Sequence, residues 1–183
     1  MIVMFAGSGA AQSKSRKTAQ KNAKTASGIR KVDFRNFNYG PLCPGEHKFL
    51  ALPADKLVLR RGHQQQGDEM SYADLGSVRY VDFDGDGQEE AFVVIKGQTP
   101  GSSNTYLAAY VFAYQNGSAK QIWTQCEENS AAALKGSSIL FTRPEWVGDD
   151  AHCCFSYVTT DTYRWKGSKI ALISTRRKKT GSR

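Results

Sequence analysis

Thr105-Tyr106-Leu107-Ala108-Ala109-Tyr110-Val111-Phe112-Ala113-Tyr114-Gln115-Asn116-Gly117-Ser118 is the stretch on which the fold turns. Read with the two-residue period of a strand, it places Tyr106, Ala108, Tyr110, Phe112 and Tyr114 on one face. Leu107, Ala109, Val111 and Ala113 fall on the other. Asn116-Gly117 supplies the two positive-φ positions of a type I′ turn, so the chain reverses there and returns over Lys120–Gln125 as the second arm of a hairpin. An aromatic stripe of this kind serves either as a ligand platform or as a sheet face packed on another sheet, and the cross-strand rules favour packing.

Working outward, Ala91-Phe92-Val93-Val94-Ile95 is apolar on both faces, which predicts a central strand, and Ser77–Val81 pairs with it across an acidic turn. Towards the N-terminus, Val32–Tyr39 alternates apolar and polar residues and predicts an opening strand stopped by Gly40-Pro41. Phe49–Leu52 and Lys56–Arg60 read as short strands, and residues 61–71 as a polar loop. Towards the C-terminus, Ser138–Thr142, Phe155–Trp165 and Ile170–Ile173 read as strands, with a tight turn at Lys166-Gly167-Ser168. Ser130–Leu134 invites a short helical turn. The 183 residues include 17 Gly and 8 Tyr and are 40% hydrophobic, which suits a turn-rich β protein. The predicted fold is mainly β, an antiparallel meander forming a small sandwich or partial barrel, with disordered basic termini. No internal repeat at a fixed period is visible, which speaks against a propeller or a solenoid.

The net charge of +8 is unevenly spread. Residues 1–31 carry +7 without an acid, the last ten residues carry +5, and the body between them is net −4. This predicts three parts: a signal-peptide remnant and basic arm over 1–31, one β-rich domain over 32–175, and a basic tail over 176–183. Arms this poor in apolar surface do not repay the entropy of ordering. They serve as solvated tails or as an electrostatic grip on an anionic partner through Lys14, Arg16, Lys17, Arg176, Arg177, Lys178 and Lys179. The partners expected are a protein assembly or an anionic membrane surface. Nucleic acid is disfavoured because Phe5 alone in the arms can stack on a base. No stretch approaches the roughly 20 apolar residues of a transmembrane span. Met1–Gly7 is apolar and runs into small residues, with Gly9 and Ala11 at the −3 and −1 positions of a signal-peptidase site, so export to the periplasm or the extracellular space is expected.

Cys43, Cys126, Cys153 and Cys154 are even in number, which fits an oxidising compartment. Vicinal cysteines rarely pair with each other, so Cys153 and Cys154 are expected to reach separately towards Cys43 and Cys126, in either order. A zinc site from Cys43, His47, His152 and Cys153 is the weaker alternative, because adjacent ligands fit one tetrahedron badly.

The most specific motif is Asp82-Phe83-Asp84-Gly85-Asp86-Gly87-Gln88-Glu89-Glu90. Carboxylates at positions 1, 3 and 5 converge when the loop curls, and Gly87 at position 6 permits the bend. The carbonyl of Gln88 and the carboxylate of Glu90 complete an oxygen set of the kind that Ca²⁺ takes, so the candidate ligands are Asp82, Asp84, Asp86, Gln88 and Glu90. Position 12 is Val93, so the loop is not a complete EF-hand. The plain alternative is an Asp/Gly turn bonded to its own backbone. The repulsion of five acids in nine residues favours the metal.

The run Tyr80–Val94 resembles the Asp-rich calcium turn of FG-GAP/VCBS-type repeats in bacterial surface proteins and integrin-like propellers. Cys153-Cys154, followed by Tyr163-Arg164-Trp165-Lys166-Gly167, is similar to a group of exported bacterial proteins, themselves uncharacterised, that pair such a turn with a Cys-Cys stretch. Phe155 stands where that group usually has proline. The resemblance implies an exported, Ca²⁺-stiffened, non-catalytic domain. Gly-x-Ser-x-Gly, His-Glu-x-x-His and a phosphate-binding glycine loop are all missing from the sequence. The function expected is an exported binding or accessory subunit. The alternatives are a secreted inhibitor or ligand-binding module, and a hydrolase using the Asp loop.

Overall fold

The structure is a computed structural model and describes residues 28–40, 57–66, 71–98, 105–148, 150 and 154–180. The strand expected at 49–52 lies outside them. Among the described residues the strands are β1 (Asn38–Gly40), β2 (Leu57–Val58), β3 (His63–Gln66), β4 (Ser71–Val81), β5 (Glu90–Gln98), β6 (Thr105–Gln115), β7 (Ser118–Glu128), β8 (Ala131–Lys135), β9 (Ser138–Glu145), β10 (Tyr157–Lys166) and β11 (Lys169–Lys179). All pair antiparallel. A five-stranded sheet runs β3-β4-β5-β6-β7, a four-stranded sheet runs β11-β10-β9-β8, and β1 pairs with β2. The result is a sandwich of two open sheets rather than a barrel.

The two-residue period explains the layers. Phe92 and Val94 of β5, with Leu107, Ala109 and Val111 of β6, point to one side and pack with Ile139, Phe141 and Ile170 of the four-stranded sheet. Ala91, Val93 and Ile95, with Ala108, Tyr110 and Phe112, point to the other side. Burial on both faces makes β5 and β6 the hub, as the sequence predicted for β5. Each Val, Leu, Ile or Phe among them contributes roughly 1.5–3 kcal/mol when fully removed from water.

The aromatic stripe of β6 is a packed face, and the four-stranded sheet lies on the opposite side of β5 and β6. The lid is the N-terminal segment, with Ile29, Phe34, Tyr39, Leu57 and Leu59 all buried against it. The rings of Phe34, Phe37 and Tyr39 sit 5.4, 5.2 and 5.9 Å from that of Phe112.

Several expected elements change. Of the strand expected over Val32–Tyr39, only Asn38 and Tyr39 lie in a strand, β1. Residues Gly28–Lys31 form a 3-10 turn, and the chain then bends at Asp33, whose carboxylate accepts from Arg35 N–H and Asn36 Nδ2 before β1 begins. Ile29, which falls within the segment read as a basic arm, is fully buried. The polar loop at 61–71 contains β3, paired with β4. Ser130–Leu134 forms no helical turn, because Ala131–Lys135 is β8 in register with β9. The basic tail expected from residue 176 is strand as far as Lys179: Arg176, Arg177, Lys178 and Lys179 pair with Thr160, Thr159, Val158 and Tyr157. The Asn116-Gly117 turn forms as expected, with φ of 51° and 81°.

Candidate metal site

The acidic turn caps the β4–β5 hairpin, where Val81 pairs with Glu90. Phe83 is buried in the cluster between the sheets and pins the start of the turn to the core. Gly85 and Gly87 take φ of +82° and +89°, in the left-handed region that suits glycine, and this curls the turn. Backbone amides then organise the acids. Gly85 N–H donates to Asp82 Oδ1 at 2.7 Å and Gly87 N–H to Asp82 Oδ2 at 3.0 Å. Asp86 N–H donates to Asp84 Oδ1 at 3.0 Å, and Gln88 N–H to Asp86 Oδ1 at 2.7 Å.

The consequence is convergence. Asp82, Asp84 and Asp86 each present a carboxylate oxygen, all within 4.8 Å of one another. Hard oxygens at this density, with no sulfur or nitrogen among them, fit a hard divalent cation, and amide bonds leave each carboxylate oxygen a further lone pair to ligate with. The other two predicted ligands stand differently. Gln88 leans on Asp86 through both its N–H and its side-chain amide. Glu90 lies behind the cluster, 6% exposed, and accepts from Phe83 N–H at 2.9 Å. Burial first, and then the neighbouring Asp84, Asp86 and Asp82, push its carboxyl from 4.5 up to about 7.

Glu89 is turned out of the cluster altogether. Arg30 holds it through two bonds, of 2.5 and 2.9 Å, and stacks its guanidinium 4.6 Å above the Tyr80 ring. The partners are 59 residues apart, so no local pattern could have announced the pair. A depression of about 140 Å³ adjoins the turn, lined by Asp84, Asp86, Glu90, Tyr114, Ile122 and Trp165.

Of the other predicted site residues, Cys126 and Cys154 are disulfide-bonded. Cys43, Cys153, His47, His152, Lys14, Arg16 and Lys17 lie outside the described residues. His63, the described histidine, faces Asp74 across 2.7 Å. Arg177 makes two bonds to Glu145, of 2.9 and 2.8 Å, and lies 3.5 Å over the Tyr157 ring. Beside it sits a polar knot that the sequence reading missed: buried Asp161 bonds Arg143 and accepts from Thr175 Oγ1 at 2.6 Å. Alternation along 157–166 puts Asp161 on the apolar face of β10, and an acid at such a position needs partners. Comparison of the chain with protein-family models, with curated proteins and with solved structures returns no match.

Proposed function

We propose that this is a non-catalytic, exported binding or accessory domain whose acidic turn takes up Ca²⁺, and which docks through its basic residues onto an anionic surface or assembly. The observation that carries the reading is the convergence of the Asp82, Asp84 and Asp86 carboxylates within 4.8 Å. Held together by amides and without a cation, three charges at that distance repel one another; a cation reverses the sign of the interaction. The metal has a structural role here, closing the turn onto the hairpin that contributes β5 to the hub. Asp82, Asp84 and Asp86 would hold it, and Gln88 and Glu90 are the further donors proposed.

All four cysteines are taken to be bridged, which suits the exported compartment. Alkylation of the unreduced chain followed by mass spectrometry is expected to label no cysteine; two or more labelled thiols would contradict that part. Calcium itself is read with terbium, because Trp165 and Tyr114 line the same depression as Asp84 and Asp86 and can sensitise its emission. Emission that rises on titration, is displaced by Ca²⁺ and is absent from Asp84→Ala supports the reading. Equal emission from wild type and variant contradicts it.

A further inference from the structure

The 3-10 turn Gly28–Lys31 is seated beside the acidic hairpin by three successive residues. Gly28 approaches Tyr114 so closely that a Cβ on it would run into the ring, and only glycine fits. Ile29 is buried in the core, and Arg30 crosses to Glu89 and to the Tyr80 ring. This edge of the molecule therefore already holds one cation of the N-terminal segment, between a carboxylate and an aromatic face. A second place of the same chemistry adjoins it. Glu89, the partner of Arg30, also lines the depression of about 140 Å³, which combines Asp84, Asp86 and Glu90 with Tyr114 and Trp165. Glu90 is 6% exposed and commits one carboxylate oxygen to Phe83 N–H. Among the described residues nothing bonds the other oxygen, which leaves a free acceptor in the lining. Acid oxygens beside aromatic residues select an ammonium or a guanidinium group and repel an anion.

Which cation reaches this place follows from the chain itself. Residues 1–27 lie outside the described residues and carry Lys14, Arg16, Lys17, Lys21 and Lys24 with no acid. They join the domain at Gly28, against Tyr114, which also lines the depression. Lys24 stands four residues before Gly28, a span of at most about 14 Å. A cation tethered so close is presented at a millimolar effective concentration, which a free partner does not match.

We propose that the depression beside the acidic turn seats a lysine of the chain's own basic segment, Lys24 or Lys21, and that Ca²⁺ competes with this lysine for Asp84 and Asp86. Uptake of Ca²⁺ then frees the segment for an anionic partner. The seat is independent of the metal, whereas the competition rests on the calcium reading proposed above. Carbodiimide coupling of the full chain in chelator, on a mixture of light and heavy nitrogen-labelled copies, tests the seat by peptide mass spectrometry. Amide links from Lys24 or Lys21 to Asp84, Asp86 or Glu90 are expected within one copy, and saturating Ca²⁺ should remove them. Calcium titration tests the competition. A cation held between an acid and an aromatic ring gains about fivefold over an open one, so Lys21→Gln/Lys24→Gln should bind Ca²⁺ about fivefold more tightly. Lys96→Gln/Lys135→Gln removes the same charge away from the depression and should change the affinity less than about twofold.

No link from Lys21 or Lys24 to the turn, or links only between unlike copies, would overturn the seat. Links that persist in saturating Ca²⁺, or equal affinities for the two variants, would overturn the competition. Links in chelator from a chain that binds no Ca²⁺ would uphold the seat and count against the calcium reading alone.

Discussion

Residues 63–128, which build the five-stranded sheet and its acidic turn, carry ten carboxylates against three Lys or Arg. Residues 129–183, which build the four-stranded sheet, carry four against ten. The two sheets nonetheless share one apolar joint, with Phe92 from the first and Phe141 from the second both buried in it. The contrast teaches that the interior is held in common while the surfaces have been assigned opposite signs. Solubility alone asks for interspersed charge. A segregated pattern suits the function proposed above, in which an acidic turn takes up a cation and basic residues meet an anionic partner.

The largest expected effect tests the shared joint. Phe92→Ala and Phe141→Ala should each cost about 3–5 kcal/mol in denaturant unfolding, because each empties a fully packed site. One sharp transition is expected for both variants. Separate transitions for the two sheets would break the comparison by making them independent units.

A smaller loss is expected where the basic sheet keeps its one buried acid. Asp161→Ala leaves Arg143 and Thr175 without their partner and should cost about 1–3 kcal/mol, while Asp161→Asn, which keeps the Thr175 bond, should cost less. Equal losses for the two variants would show that the Thr175 bond contributes nothing at this position.

The acidic sheet gives a prediction of the opposite sign. Glu90 titrates near 7 when folded and near 4.5 when free, so between those values the folded protein holds a proton that the unfolded chain has released. In chelator, its contribution to stability is therefore present below pH 4.5 and falls away as pH rises to about 7. Glu90→Gln keeps an acceptor for Phe83 N–H and removes that slope, so in chelator at neutral pH it should melt higher than wild type. With Ca²⁺ the order should reverse. Thermal melts at two pH values, with and without calcium, check both halves. The smallest effect is expected from Arg30→Gln, an exposed partner of Glu89, whose melting temperature should stay close to that of wild type.

The hub was legible in the sequence because β5 and β6 obey a period of two with both faces apolar, and Asn116-Gly117 admits one kind of turn. The convergence of Asp82, Asp84 and Asp86 was legible for a similar reason: alternate acids around two glycines leave a curled backbone few other options. What escaped depended on distant partners. Phe34, Phe37 and Tyr39 alternate like a strand, yet Asp33 bends the chain and the three rings pack on Phe112. Ala131–Lys135 is rich in a helix former, and pairing with β9 overrides that propensity. Arg176–Lys179 resembles a solvated tail when read alone, whereas Glu145 and Tyr157 supply the partners that hold Arg177 in a strand. Arg30 was assigned to an arm because nothing near it in the chain reveals Glu89.

The division of roles depends above all on the acidic turn binding a cation, and thermal unfolding with and without calcium tests that most directly. With free Ca²⁺ near 100 times its Kd, wild type should gain about 2.7 kcal/mol, a rise of roughly 5–10 °C for a chain of this length. Asp84→Ala should show no rise. A wild-type midpoint that is the same in calcium and in chelator would contradict the account.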